Sequence, residues 1–451
     1  MFEQTEYRLA LILSESRQML GIKSLGAAEL PQVSVPKWER QVEQLTRLAE
    51  RRWNIKTIVL DFLRDKSIST TCAVMEVRTA SWQFASEGFQ PIPPEQFSES
   101  SLGEEERNAL LRLLSGDDTY IAPFSHIGWI DEAQQWIRQA VRDREVTFNS
   151  DILQLNTGGG FALVRFGTET GPAYWLKATG EPNTHEFAVT TTLAGLFPEF
   201  LPRIVAARED WNAWITEDAG ETLYRRATLP VFEQAVRCLT GLQMRSIDYV
   251  ETLIGRGFLQ QSISALQAHL DPLIDYLEEA MGRQTSTRVL PLTKSRLHEL
   301  RSTLDCSCSM MIDLRIPDTV VHNDLNEGNI LHDGSRCVFI DWAETFIGTP
   351  FLSLQAMCLL RSDDRKLPAS WIDRLRAIYR EGWLERLTGE QVNRAFALMP
   401  ILALLSHLYG GGCWLESQRR DDSDFQAYTR SLARYMDRAA NEPSLLEVLC
   451  R

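Results

Sequence analysis

The sequence predicts an α+β fold in two lobes, a small antiparallel sheet lobe and a larger helical lobe, preceded by an α/β N-terminal domain. Three observations predict this. Short apolar runs broken by Gly- and Pro-containing turns fill residues 146–218, helical apolar periodicity dominates from Gly220 onward, and strand-like and helix-like runs mix before residue 145. At 451 residues the chain exceeds one ordinary core, and the composition shifts set boundaries at 1–145, 146–218 and 219–451.

In the first region, Tyr7–Leu13, Ile55–Phe62 and Thr71–Val77 alternate as strands, and Lys37–Arg52 has helical spacing. A loop rich in Pro, Ser and Glu from Gly88 to Gly103 precedes a helix whose first turn, Glu104-Glu105-Glu106, suits the helix dipole. A further helix is expected near Asp131–Arg142.

In the second region, Ile152–Asn156, Phe161–Phe166 and Ala173–Ala178 read as consecutive strands, followed by a helix over Thr184–Leu196 and strands Ile204–Arg208 and Ala213–Glu217. The turn Gly158-Gly159-Gly160 can lay backbone N–H groups over phosphates, or serve only as a flexible hairpin loop. Lys177 lies on the third strand and Glu186 nine residues on, in the first turn of the next helix. Each has an ordinary structural explanation, an edge charge and a helix N-terminal acid. As an ordered pair they supply a phosphate-binding cation and the carboxylate that holds it.

The third region carries His322-Asn323-Asp324-Leu325-Asn326-Glu327-Gly328-Asn329 and then Ile340-Asp341-Trp342, flanked by the apolar runs Thr319–Val321 and Val338–Ile340 in what reads as a hairpin. An Asp five residues before an Asn, with a second Asp twelve further on, provides the parts phosphoryl transfer needs. They are a carboxylate to accept a hydroxyl proton, and an amide and a carboxylate to hold Mg²⁺, which takes few protein oxygens. The plain alternative is an acidic hairpin whose Asx residues serve turns.

From about residue 150 to 430 the chain resembles the aminoglycoside phosphotransferase family, small-molecule kinases that share the protein-kinase fold and include choline kinases. The family's H-x-D-x-x-x-x-N pattern matches His322, Asp324 and Asn329, and its Ile-Asp-Trp pattern matches Ile340-Asp341-Trp342. The resemblance implies ATP (or GTP) and Mg²⁺ as cofactors, Asp324 as catalytic base, and Asn329 and Asp341 as Mg²⁺ ligands. It implies Lys177 as the phosphate contact with Glu186 as its partner, and His322 as a support for the loop. The connector Ile215–Gly220, with Glu217 and Ala219, is where an adenine would meet backbone amides. Two positions depart from the family. Gly348-Thr349-Pro350-Phe351-Leu352-Ser353-Leu354 lacks the two acids of G-D-P-x-x-D-L, which puts that loop's polar bracing in doubt, and Leu242-Gln243 stands where many members have Leu-His.

A protein kinase would carry Lys two residues after the catalytic Asp, where this chain has Asn326, and a longer segment before the apolar run at Phe351. A small hydroxyl compound is the expected acceptor. Asp421, Asp422 and Asp424 could wall a cationic substrate, but read better as a solvated acidic loop. Trp371, Tyr409 and Trp414 could face an ammonium group, but read better as core.

The first 145 residues resemble, weakly, a Nudix hydrolase fold, with Arg51-Arg52 at the positions of that family's metal-binding acids and Asn54 at its glycine. Two cations cannot bind Mg²⁺, so a binding or packing module is expected there.

A net charge of −14 argues against a nucleic-acid surface. Eight scattered cysteines without zinc spacing, and Glu3 and Glu6 where a secretory signal would be basic and apolar, point to a reducing, cytoplasmic setting. The uncharged stretch Ala395–Leu415, broken by Pro400 and Gly410-Gly411-Gly412, reads as a buried helix and a turn rather than a membrane span. The leading expectation is an ATP- and Mg²⁺-dependent phosphotransferase acting on a small-molecule hydroxyl. The alternatives are a non-catalytic nucleotide-binding scaffold and an N-terminal hydrolase. The acceptor and the oligomeric state are not legible in the chain.

Overall fold

The computed structural model describes residues 3–23, 27–37, 40–85, 88–116, 122–359, 367–410, 412 and 420–450. They fall into two compact units, Met1–Phe187 with Arg203–Asp218, and Ala188–Pro202 with Ala219–Arg451.

The first unit opens with a seven-stranded sheet built from β1 (Gln4–Leu13), β2 (Gln18–Lys23), β3 (Ala28–Glu29), β4 (Gln32–Pro36), β5 (Thr57–Leu63), β6 (Thr71–Val77) and β7 (Gln90–Ile92). Three helices accompany it: α1 (Gln41–Trp53), α2 (Glu104–Ser115) and α3 (Trp129–Ala140). Only β1 and β6 pair in parallel, and the remaining neighbours are antiparallel. The region is therefore β-rich rather than α/β. Short strands interrupted by Gly21, Pro36 and Pro91 carry too little alternation to be read from sequence.

Alternation along β1 divides its residues between two cores. Tyr7, Leu9 and Leu11 pack with Leu45, Ala49 and Trp53 of α1. Ala10 and Ile12 join Leu110 and Leu114 of α2 and Trp129 and Ile137 of α3. Between them Arg8 is 1% exposed, and its guanidinium donates to both carboxylate oxygens of Glu106 at 2.7 Å and to the Ser101 carbonyl at 2.7 Å. A charge buried so deeply persists only with this degree of pairing. Glu106 also accepts the Gly103 N–H at 3.2 Å, so one side chain caps α2 and ties it to the sheet.

The second sheet of this unit is antiparallel, in the order β11-β12-β10-β9-β8: β8 (Thr147–Gly158), β9 (Phe161–Thr170), β10 (Tyr174–Ala178), β11 (Ile204–Arg208) and β12 (Ala213–Glu217). One face, with Val164, Phe166, Tyr174, Leu176 and Ile215, belongs to the same core as Ala10, Ile58 and Val74 of the first sheet. The expected boundary at 145/146 thus crosses continuous packing. Gln154 on β8 reinforces the seam, its side-chain amide exchanging two 2.8 Å hydrogen bonds with the Val59 backbone on β5.

In the second unit a single core gathers the helices Leu229–Ser246, Leu270–Gly282, Lys294–Asp313, Ala369–Trp383, Gly389–Tyr409 and Ser423–Ala439. The runs flanking the Asp324 loop are both strands, but they do not pair with each other. Thr319–His322 pairs with Thr345–Gly348, and Cys337–Phe339 pairs with Ile330–His332. At the unit's start Gly220 has φ +105°, and a Cβ there would strike the His332 carbonyl, so only glycine fits. Among the described residues the helix Gly389–Tyr409 is long and apolar enough to cross a membrane, with mean hydropathy 1.3 over its best window, of which 61% is buried against the rest of the chain. That burial suits a core helix.

Candidate active site

The sequence-predicted residues form two clusters, one in each unit. In the first, Lys177 projects from β10 and its ammonium lies 2.5 Å from the Glu186 carboxylate. Glu186 opens the helix Glu186–Leu196, and its side chain is 1% exposed against 23% for Lys177. The Lys177 ammonium also stands 5.7 Å over the Trp214 ring, across the strand pair Lys177–Trp214. Gly158 and Gly159 have φ of +146° and +45°, so the turn between β8 and β9 needs glycine there. A Cβ on Gly160 would lie 3.0 Å from the Gly180 Cα, which makes this a close backbone approach as well as a turn. Glu217 ends β12 with its side chain in salt bridges to Arg144 and Arg203, while its N–H donates to the Arg203 carbonyl at 3.0 Å. Ala219 begins the next segment of the second unit.

The second cluster is the loop from His322 to Asn329. Asp324 is half-buried, and each of its carboxylate oxygens accepts an amide hydrogen bond, from Asn326 Nδ2 at 2.8 Å and Asn329 Nδ2 at 2.9 Å. A carboxylate that only accepts forces both NH₂ groups toward it. The Asn326 oxygen therefore faces away and takes the Gly328 N–H at 2.8 Å, and the Asn329 oxygen is the end of that amide turned away from the Asp324 carboxylate. The Asn329 amide nitrogen also reaches the Asp324 carbonyl at 2.8 Å, and the Ile340 N–H donates to the Asn329 carbonyl at 3.0 Å. That last bond joins the loop to the segment bearing Asp341, whose φ of 66° is a strained value for a non-glycine residue.

His322 acts as a brace. Its Nε2–H donates to the Ile340 carbonyl at 2.9 Å, and its ring packs 4.6 Å from that of Trp342. The two departures from the family pattern prove to be part of the same scaffold. Ser353 Oγ accepts the His322 backbone N–H at 2.9 Å. The Gln243 side chain donates to the Pro350 carbonyl at 2.8 Å and accepts from the Tyr379 hydroxyl at 2.7 Å. Polar bracing is thus present without the two acids.

A cavity of about 210 Å³ opens beside this loop, lined among others by Asn323, Asp324, Asn326, Glu344, His407 and Tyr428. Glu344 keeps a solvent-facing edge, yet desolvation, then the Asp324 carboxylate, raise its pKa above the usual range. Burial lowers that of His407, against the pull of Asp324, and its Nε2 has no hydrogen-bond partner among the described residues. The Tyr428 hydroxyl is pushed up by burial and by the Glu344 and Asp324 carboxylates. None of these three was singled out from sequence for a site. Glu344, three residues past Asp341, was the one with a positional signal.

Asp421 pairs with Arg283 at 2.9 Å and Asp422 caps the helix Ser423–Ala439, so these acids have structural roles. Trp371 packs 5.9 Å from Phe232 and Tyr409 5.2 Å from His269, both against the core, while Trp414 lies outside the described residues. Among the described residues no group of three or more His, Cys, Asp or Glu is arranged to hold a metal ion.

Residues 170–388 match the model of the phosphotransferase enzyme family. Similar solved structures include a choline/ethanolamine kinase family protein from Mesorhizobium loti, 17% identical over 71% of this chain and 98% of that one, with a TM-score of 0.46. An ethanolamine kinase from Plasmodium vivax is 14% identical over 77% and 97%, with a TM-score of 0.47. A macrolide 2'-phosphotransferase from Brachybacterium faecium is 13% identical over 69% and 99%, with a TM-score of 0.44. No curated protein matches the chain. The family match begins at residue 170, so the Nudix-like reading of residues 1–145 gains nothing from it.

Proposed function

We infer, from the premise that residues 170–388 belong to the phosphotransferase enzyme family, that the chain transfers the γ-phosphoryl group of ATP or GTP to a hydroxyl of a small molecule. The observation that carries the reading is the Asp324 carboxylate, fixed through both oxygens by Asn326 and Asn329 at the mouth of a cavity. Held there, Asp324 orients the acceptor hydroxyl and accepts its proton as the oxygen attacks phosphorus. Lys177, kept in place by Glu186, meets the nucleotide phosphates, and Gly158, Gly159 and Gly160 offer them backbone N–H groups. Glu217 and Ala219 flank the base.

The donor set fits Mg²⁺: the bond its nitrogen makes to Asp324 leaves the Asn329 amide oxygen as a donor atom, and the Asp341 carboxylate adds the charge a hard cation prefers. Bound there, the ion would neutralise charge on the transferring phosphates. Glu344 and Tyr428, which line the cavity, suit an acceptor that pairs an amine with its hydroxyl. A reducing compartment suits the seven described cysteines, none of which is in a disulfide.

The test is phosphate transfer from labelled ATP, with Mg²⁺, to a panel of amino alcohols, aminoglycosides and sugars. Transfer to an amine-bearing acceptor is expected, and Asp341→Ala should abolish it with the fold retained. Nucleotide-dependent thermal stabilisation without transfer to any acceptor would instead favour the non-catalytic scaffold.

A further inference from the structure

The first unit holds a second and larger cavity, of about 710 Å³. It lies where α1, the edges of β5 and β6, α3, β8 and β9 meet, and none of the residues assigned above to phosphoryl transfer lines it. Its charge departs from that of the chain. Acidic residues outnumber basic ones 61 to 47 overall, yet five basic side chains and only two carboxylates, Glu50 and Asp151, line this cavity.

Three of the five cations are already engaged. Arg47 pairs with Glu43 at 2.6 Å, Arg78 with Glu76 at 3.2 Å and with Asp131, and Arg165 with Asp218 at 3.0 Å. Lys56 and Arg138 have no carboxylate partner among the described residues. The Arg138 guanidinium lies 5.0 Å over the Phe148 ring, a contact that orients the group and leaves its N–H donors available. Thr57 also lines the cavity and is 6% exposed.

We propose that this cavity binds a phosphorylated small molecule, with Lys56 and Arg138 on the phosphate and the Glu50 carboxylate and Asn149 amide nitrogen available to its hydroxyl groups. A guanidinium fork and an ammonium are the side chains that recognise phosphate oxygens, and the volume is that of a metabolite site rather than of a lone ion. The Gln154–Val59 exchange ties β8 to β5, two of the strands whose residues line the cavity. The site does not depend on the phosphotransferase reading. It shares strands β8 and β9 with the sheet that bears Lys177, but Lys177 does not line it.

The experiment is calorimetric titration of the full chain with inorganic pyrophosphate, without added Mg²⁺. It compares wild type, the double variant Lys56→Ala with Arg138→Ala, and a charge-matched double variant, Lys23→Ala with Lys66→Ala, at two lysines that do not line the cavity. All four residues are exposed, so both double variants should fold, which circular dichroism checks. At least tenfold weaker binding in the cavity variant, with the charge-matched variant close to wild type, is the expected result. Absence of binding to wild type, unchanged binding in the cavity variant, or equal weakening in both double variants overturns the proposal.

Discussion

Replacing Asp324 by Asn keeps the side chain's size and removes its charge and its capacity to accept a proton. Each Asp324 oxygen accepts from an amide, Asn326 Nδ2 at 2.8 Å and Asn329 Nδ2 at 2.9 Å. An amide at position 324 offers one oxygen and one NH₂, so one of those donors would face another donor. Neither neighbour can rotate to relieve it. The Asn326 oxygen is held by the Gly328 N–H, and the Asn329 nitrogen also holds the Asp324 carbonyl. One unsatisfied half-buried donor costs about 1–3 kcal/mol of stability. Loss of the base should lower kcat by roughly 10²- to 10⁴-fold, or about 3–5.5 kcal/mol at the barrier. The assay is steady-state phosphate transfer to an acceptor found by the panel, with thermal melts alongside. A kcat within tenfold of wild type would refute the assignment of Asp324 as base. An unchanged melting temperature would refute the locked-amide argument independently.

Two further outcomes follow from the geometry. Lys177→Met removes the cation 2.5 Å from a carboxylate that is 1% exposed, and should destabilise by about 3 kcal/mol in urea titrations, the low end for a broken buried pair because Lys177 keeps 23% exposure. Glu186→Gln should cost less, since the lysine retains solvent and the Trp214 face, and the reverse order would contradict the pairing. His407 has its pKa lowered from 6.5 by burial, so the stability it contributes is present above 6.5 and lost as the pH falls through the folded value. Glu344 facing it is raised and acts in the opposite sense, with Asp324 and Tyr428 also at the cavity. The difference between wild type and His407→Gln should therefore change below pH 6.5 with a slope of at most about 1.4 kcal/mol per pH unit, and parallel stability curves from pH 7 to pH 5 would refute it.

The five strands around Lys177 were legible because each is an apolar run bounded by turn residues. Ala213–Glu217 and Thr71–Val77 were placed to the residue. The Asp324 loop was legible for a different reason: its contacts close within five residues, so the spacing of Asp, Asn and Asn encodes them directly. The pairing of its flanking strands was not. Thr319–His322 takes Thr345–Gly348 as partner, a choice made by packing rather than by adjacency. Likewise the acids missing after Gly348 suggested a weakened loop, and Gln243 and Tyr379 brace it from other helices while its own Ser353 holds the His322 N–H.

The sequence by itself determined the chemistry-bearing residue types and their local order: Lys177 before Glu186, then Asp324, Asn329 and Asp341. Tertiary structure alone decided what stands around them. It set His407 and Tyr428 beside Asp324 from helices far along the chain, and made one core of the N-terminal sheet and the sheet bearing Lys177. It also gathered Arg47, Lys56, Arg78, Arg138 and Arg165 about one cavity from separate elements. Periodicity records which face of an element is buried, and spacing records contacts a few residues apart. Neither records which distant face it is buried against, because that is settled by side-chain packing across the whole unit.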